Sequence, residues 1–313
     1  MSDTILAIIE LDNSPQVVAN RAAWLAGLYG CNLHLLLCDP SSTLLRDSFL
    51  VSNEAKEIGL AIADAQQQVL TELSDSVQAV DGMSVTSAIS HDRPAHEAII
   101  ASALAIESCI VVKGTQYHSP AERATFTFTD WQLIRKLATP LWLVKQNQWQ
   151  DSPVIVAAVD PMHENDTKGA LDQIIVDAGK SLASKCGGSL VLLHTYQRLV
   201  EIGHDVMFKF NPVKLKVDEL DKKTRAKHRQ KLDALAKAND IDADAVHQLP
   251  GRTTDILPTF ARSSGADLVI MGAVARSSRI RHALGSTAER VLDHLHCDIL
   301  IARGEVPQRA DSS

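Results

Sequence analysis

No apolar run in the 313-residue chain approaches the roughly 18 residues that a bilayer span requires, so no membrane-spanning helix is expected. Paired cysteines are absent too. Cys31, Cys38, Cys109, Cys186 and Cys297 are odd in number, scattered and without a C-x-x-C spacing. They suit a reducing cytosol, as small buried apolar residues rather than a disulfide framework. The formal net charge of -7 gives no basic surplus, which discourages non-specific nucleic-acid or bulk anionic-membrane binding. Met1-Ser2-Asp3-Thr4 is acidic and runs directly into an apolar strand, without the basic region, apolar core and cleavage site of a leader. The expected location is the cytoplasm. Neither G-x-x-x-x-G-K-[ST], G-x-G-x-x-G nor H-E-x-x-H occurs. Asp240-x-Asp242-x-Asp244 begins like a calcium loop, but Ala245 replaces its glycine and Gly251 its closing glutamate. His282, His294, His296 and Cys297 are close in sequence, yet helical residues two apart point differently. A shared metal would need distant partners, so no metal site is expected beyond weak zinc binding. Glu97 and Asp255 are first-turn helix acids, explained by the helix dipole.

What is present centres on residues 266–287. Ala266-Asp267-Leu268-Val269-Ile270 is an apolar run too short for a helix, bounded by Gly265 and Gly272. Such a run predicts a strand buried on both faces. The residues from Thr287 to His296 have helical apolar spacing. Between them lies a loop with small residues at both ends and Arg276, Arg279 and Arg281 in the middle. A small-residue loop after a parallel strand lets backbone N–H groups approach an anion, and the helix start adds free donors and a positive dipole end. The same loop is also compatible with an ordinary capped surface turn, with Ser286 or Thr287 as N-cap. The three arginines serve either as anion contacts or as solvated side chains.

The first half echoes this stretch. Cys109-Ile-Val-Val-Lys-Gly114 matches Asp267-Leu-Val-Ile-Met-Gly272, a shift of 158 residues (114 to 272). The same shift carries Thr139–Val144 onto Cys297–Ala302 and Pro94–Ile100 onto Arg252–Pro258 without a gap. Two copies of one domain follow, expected at 1–148 and 149–304, with a frayed tail at 305–313. The polar stretch Lys145–Pro153 joins them. Copy one predicts strands at 4–12, 32–38, 84–90, 109–113 and 141–145, with helices at 15–29, 52–73, 94–107 and 129–138. Copy two predicts strands at 153–159, 189–195, 243–248, 267–272 and 298–302, with helices at 167–186, 218–238, 252–264 and 286–296. This alternation gives an α/β fold of two tandem doubly wound parallel five-stranded sheets. Ligands on such sheets sit beyond the carboxyl ends of the strands at the switch point. The segment 195–217, with Phe208, Phe210 and Pro212, is either a lid or a long crossover.

The loop spacing resembles that of the universal stress protein family. Gly272, Ala273-Val274, Ala275, nine residues from Arg276 to Leu284 and then Gly285-Ser286 follow the family's closing pattern, with one glycine replaced by Ala275. Residues 91–100, 126–136 and 140–145 resemble the tandem, E-type bacterial members, and the likeness covers essentially the whole chain. It implies the family's adenine-nucleotide α-hydrolase-like fold in each copy. It also implies an ATP or other adenine-nucleotide site, with Mg2+ only if ATP is bound. Carried over, Ala158, Val159 and Asp160 would meet the base; Asp160-Pro161 is otherwise a turn and a helix cap. His194 and Thr195 would form the other wall of the slot, and Met271 and Gly272 would close the fourth strand. Val274 would pack on the ribose. Ala275, Gly285, Ser286 and Thr287 would line the phosphate loop. Should that loop need a positive φ at Ala275, alanine costs roughly 1–2 kcal/mol. A micromolar site is worth about 8 kcal/mol, so it would be weakened rather than erased.

In copy one Tyr117, Thr127 and Phe128 stand where Ala275, Gly285 and Ser286 do, although Asp12 remains at the end of the first strand. Copy one is therefore expected to be structural or to bind something apolar. Function in the subgroup is regulatory and tied to stress survival. No catalytic base–nucleophile pair is expected, and any ATP hydrolysis would be slow and incidental. The alternative is a binding module that takes an apolar, lipid-like ligand or a protein partner. Leu141–Lys145 is expected to pair with Ile299–Ala302, covering both sheet edges in an intramolecular pseudo-dimer. A monomer with that core, or a homodimer of it, follows.

Overall fold

A computed structural model describes residues 3–39, 53–77, 82–115, 129–162, 170–198, 217–273 and 291–304, with side chains from 57 in the second of these stretches and from 219 in the sixth. The chain divides into two compact units, Met1–Gln146 and Asn147–Ser313.

The N-terminal unit runs β1 (Thr4–Ile9), α1 (Pro15–Tyr29), β2 (Asn32–Cys38), α2 (Asn53–Val77), β3 (Val85–Ser90), α3 (Ala95–Ala105), β4 (Ser108–Gly114), α4 (Thr129–Lys136) and β5 (Leu141–Val144). Every pairing is parallel, in the order β3-β2-β1-β4-β5. The C-terminal unit runs β6 (Val154–Ala158), α5 (Ala170–Cys186), β7 (Ser189–Tyr196), α6 (Val217–Ala238), β8 (Val246–Pro250), α7 (Thr253–Ser263), β9 (Leu268–Ala273) and β10 (Asp298–Arg303). Its order, β10-β9-β6-β7-β8, is again fully parallel. Each unit thus has the same wiring, and each first strand lies between its second and fourth.

The strands are Ile-, Leu- and Val-rich because both faces are covered by helices. Leu6, Leu33, Leu35, Val111 and Val112 form the fully buried centre of the first sheet, and Ile155, Val156, Leu192, Val269 and Ile270 that of the second. The first crossover helix ends in the same way in both units. Gly30 follows α1 at φ 68 and Gly187 follows α5 at φ 67. The left-handed conformation that turns the chain back toward the sheet is open to glycine without a Cβ penalty. One expected strand is shifted. Residues 243–248 do not form it as a block: Ala243–Ala245 make a single 3-10 turn and β8 starts at Val246. The expected helix over 286–296 lies mostly outside the described residues.

Candidate functional site

The register of the central strands defines equivalent positions in the two units. Ile8 pairs with Lys113 in the first, and Ala158 with Met271 in the second. Two residues further on, Glu10 is therefore the counterpart of Asp160. This corrects the assignment of Asp12 to the end of the first strand: β1 stops at Ile9.

In the C-terminal unit, Ala158, Val159 and Asp160 lie at the carboxyl end of β6, flanked by His194 and Thr195 of β7 on one side and by Met271 and Gly272 of β9 on the other. These seven expected site residues are brought together by the sheet order. Val274, Ala275, Gly285, Ser286 and Thr287, with Arg276, Arg279 and Arg281, lie outside the described residues, as do Tyr117, Thr127 and Phe128 of copy one.

Hydrogen bonds fix much of this edge. The Val159 N–H donates to Leu193 O at 3.0 Å. The Val159 carbonyl accepts from His194 Nδ1 at 3.0 Å. A carbonyl only accepts, so His194 carries its proton on Nδ1 and, while neutral, presents a bare Nε2. That nitrogen lies 2.7 Å from Nδ1 of His228 on α6, which is placed to donate. The rings stack with centroids 5.0 Å apart, and Tyr196 flanks His228. His194 is only 2% exposed. Burial lowers its pKa below the ordinary histidine value; the Val159 carbonyl opposes the shift, His228 adds to it and Asp160 opposes it.

Asp160 is half-buried, and its backbone N–H donates to Asp172 Oδ1 at 2.8 Å. Asp172 lies in the first turn of α5. Thr195 and Thr253 share a hydroxyl hydrogen bond of 2.5 Å, tying β7 to the start of α7. Met271 is buried. At Gly272 a Cβ would stand 2.7 Å from Leu171 Cγ, so the missing side chain makes room for leucine from the start of α5. In the N-terminal unit the matching Gly114 makes room for Asn13, whose carbonyl a Cβ would approach to 2.9 Å.

The same edge of the N-terminal unit is built differently. Lys113, in the position of Met271, is 3% exposed. Its ammonium lies 2.7 Å from Glu10 Oε2 and 2.8 Å from Asp130 Oδ1, and donates to the Gly114 carbonyl at 3.0 Å. Asn13 Nδ2 donates to Glu10 at 3.0 Å, and Thr115 Oγ1 to Asp130 at 2.6 Å. Burial alone would lower the lysine pKa, but the Asp130 and Glu10 carboxylates overcome it and hold the ammonium above its ordinary value. The strand ends that would frame a ligand are bridged by the protein's own charges.

Sequence reasoning missed Lys113, Glu10, Asp130, His228, Asp172 and Leu171. A signal existed for the first two. Lysine in Cys-Ile-Val-Val-Lys-Gly and glutamate ending Ile-Leu-Ala-Ile-Ile-Glu are charges attached to runs that must be buried, and a buried charge requires a partner. Among the described residues no group of three His, Cys, Asp or Glu side chains could hold a metal ion.

Comparison with known proteins bears on the family and the fold. The model of the universal stress protein family matches twice, at residues 1–145 and 153–303. Proteins named universal stress protein E from Salmonella typhi and from Escherichia coli strain K12 are 30% identical over 220 residues. That match takes in 68% of this chain and spans 66% of the length of those relatives. Among solved structures, a functionally unknown protein from Pseudomonas aeruginosa PAO1 superposes with a TM-score of 0.68 at 23% identity, covering 96% of this chain and 92% of that one. A universal stress protein from Archaeoglobus fulgidus DSM 4304 gives 0.65 at 14% identity, with 97% of each chain covered. At these identities the structures speak to the fold alone. Two matches of the family model, one to each half, make this chain a member of the universal stress protein family with two of its domains in tandem.

Proposed function

We propose that the protein is a cytoplasmic regulatory stress-response protein whose C-terminal domain binds an adenine nucleotide, while the N-terminal domain keeps the corresponding edge closed. The carrying observation is the contrast at equivalent strand ends. Lys113 bridges Glu10 and Asp130 in one domain, where Met271 stands beside Ala158 in the other. An ammonium held between buried Asp130 and half-buried Glu10 puts an ion cluster where a base or an apolar guest would have to sit.

The residues of the C-terminal edge fit a base. Both backbone groups of Val159 are engaged, by Leu193 and His194. The task of meeting the exocyclic amine of adenine then falls to the Asp160 carboxylate, which accepts when ionised. Buried Val159 and Met271, with the Leu171 side chain over Gly272, make the surroundings of such a ring apolar. Thr195, held by Thr253, closes the β7 side. Phosphates would fall to the loop that includes Gly285, Ser286 and Thr287, with Mg2+ arriving only on ATP. The domain supplies binding and orientation, and any hydrolysis is slow and incidental.

A second reading, an apolar or lipid-like ligand, draws on the same Met271 and Leu171 surface. It is favoured if the phosphate loop rejects anions at Ala275. Equilibrium dialysis with labelled ATP separates the two. Saturable binding, lost in Gly285→Trp, is the expected result. Absence of binding by the unaltered protein overturns the nucleotide reading.

A further inference from the structure

Helices α2 and α6 are the same element of the repeat. Each is the long crossover between the second and third strands of its domain, and each packs on those strands. Their exposed faces carry opposite charge. From 222 to 231, α6 bears Lys222, Lys223, Arg225, Lys227, Arg229 and Lys231 and no acidic residue. Arg229 is paired with Asp233 at 2.7 Å. Lys223, Lys227 and Lys231 are exposed and make no ion pair among the described residues. Steps of four residues advance about 6 Å along the helix and about 40° around it, so these three form one stripe. Across the helix, His228, Leu232 and Ala236 are buried against the fold.

On α2 the pattern is reversed. Glu57, Asp64 and Glu72 are exposed and recur at intervals of seven and eight residues, which keeps them on one face. Gln66, Leu70, Leu73 and Val77 are buried on the other face. Among the described residues Glu57 and Asp64 make no ion pair, and Glu72 accepts only from neutral Gln68 of the same helix, at 2.9 Å. Asp64 and Glu72 are separated by the same eight residues as Lys223 and Lys231, about 12 Å along either helix. Both helices also expose large apolar side chains beside their stripes: Ile58 and Leu60 flank that of α2, 55% and 67% exposed, and Leu220 lies by that of α6, 52% exposed.

We infer that α2 of one copy of this chain docks on α6 of another, a heterologous contact between two copies. The occupant is a second copy because the complementary stripe is on the chain itself, opposite in sign, with one charge spacing in common and exposed apolar side chains beside it. A surface ion pair is worth at most about 1 kcal/mol, so the contact is weak and salt-dependent. It is suited to association that rises with local concentration.

Sedimentation velocity of the full chain over a concentration series tests this. Association is expected at about 0.01 M ionic strength and a weaker one at about 0.15 M, as the Debye length falls from about 30 Å to about 8 Å. Reversing one lysine should weaken association about two- to fivefold, and Lys223→Glu, Lys227→Glu, Lys231→Glu together by more than tenfold. The triple reversal Glu57→Lys, Asp64→Lys, Glu72→Lys should do the same. Mixing the two triple variants should restore association, since each then presents what the other lacks. All these positions are exposed, and circular dichroism checks that the variants keep their fold. A chain that stays monomeric at low salt, or association that both triple reversals leave unchanged, overturns the inference. So does a mixture that sediments as its separate components.

Discussion

Replacing Lys113 by methionine, the residue at its register equivalent Met271, removes the ammonium that joins Glu10 to Asp130. Breaking a buried ion pair by deleting one partner costs about 3–5 kcal/mol, because the remaining charge is stranded. Asp130 is almost as inaccessible as the lysine, so most of that penalty applies to it. Glu10 keeps partial access to water and adds less. With a urea slope near 2 kcal/mol per molar, the unfolding midpoint of the N-terminal domain should fall by about 2 M. Tryptophan fluorescence reports chiefly on that domain, which holds Trp24, Trp131 and Trp142 against Trp149 in the other. The pH dependence gives a second check. In the variant, taking up a proton is the way a stranded carboxylate sheds its uncompensated charge. The penalty is then full near neutrality and smaller in acid. Adding Asp130→Asn should recover part of the loss at neutral pH. A loss below about 1 kcal/mol, the size of an exposed pair, would refute the reasoning and with it the closed edge of this domain.

Three further outcomes follow from the site. His194 has a lowered folded pKa, so the stability it contributes is complete above about 6.5 and is lost as pH falls through the folded value, at up to about 1.4 kcal/mol per pH unit. Chemical denaturation at several pH values should show that slope, and His194→Gln should flatten it. Gly272→Ala should destabilise the C-terminal domain by about 1–3 kcal/mol through overlap with Leu171. In a double-mutant cycle with Leu171→Ala, the combined loss should fall short of the sum by at least about 0.5 kcal/mol. Asp160→Ala should weaken ATP binding about tenfold or more, the share of one charge-assisted hydrogen bond, with little change in the urea midpoint; calorimetric titration and denaturation check both.

The strand and helix alternation was legible because both sheets are fully parallel and their strands are continuous apolar runs. The repeat was legible because the shift of 158 holds without a gap from the fourth strand to the last. Placement at the strand ends was less so. Whether Asp12 or Glu10 matches Asp160 depends on where β1 stops, which the acidic Glu-Leu-Asp sequence leaves ambiguous. Partners far apart in sequence were not legible at all. Lys113 meets Glu10 only because the sheet order sets β4 beside β1, and Asp130 only because α4 returns over the same edge. His228 reaches His194 from a helix one crossover away, at a spacing that no local pattern encodes. Apolar periodicity reports which face is buried, not which polar group a long crossover will deliver to it.

Counting ATP molecules bound per chain, by calorimetric titration of the intact protein, tests the central claim most directly. A nucleotide site in the C-terminal domain alone, with the N-terminal edge bridged by its own ion triad, predicts a single site per chain, with a dissociation constant in the micromolar range or weaker. Two equivalent sites, or none, would contradict it.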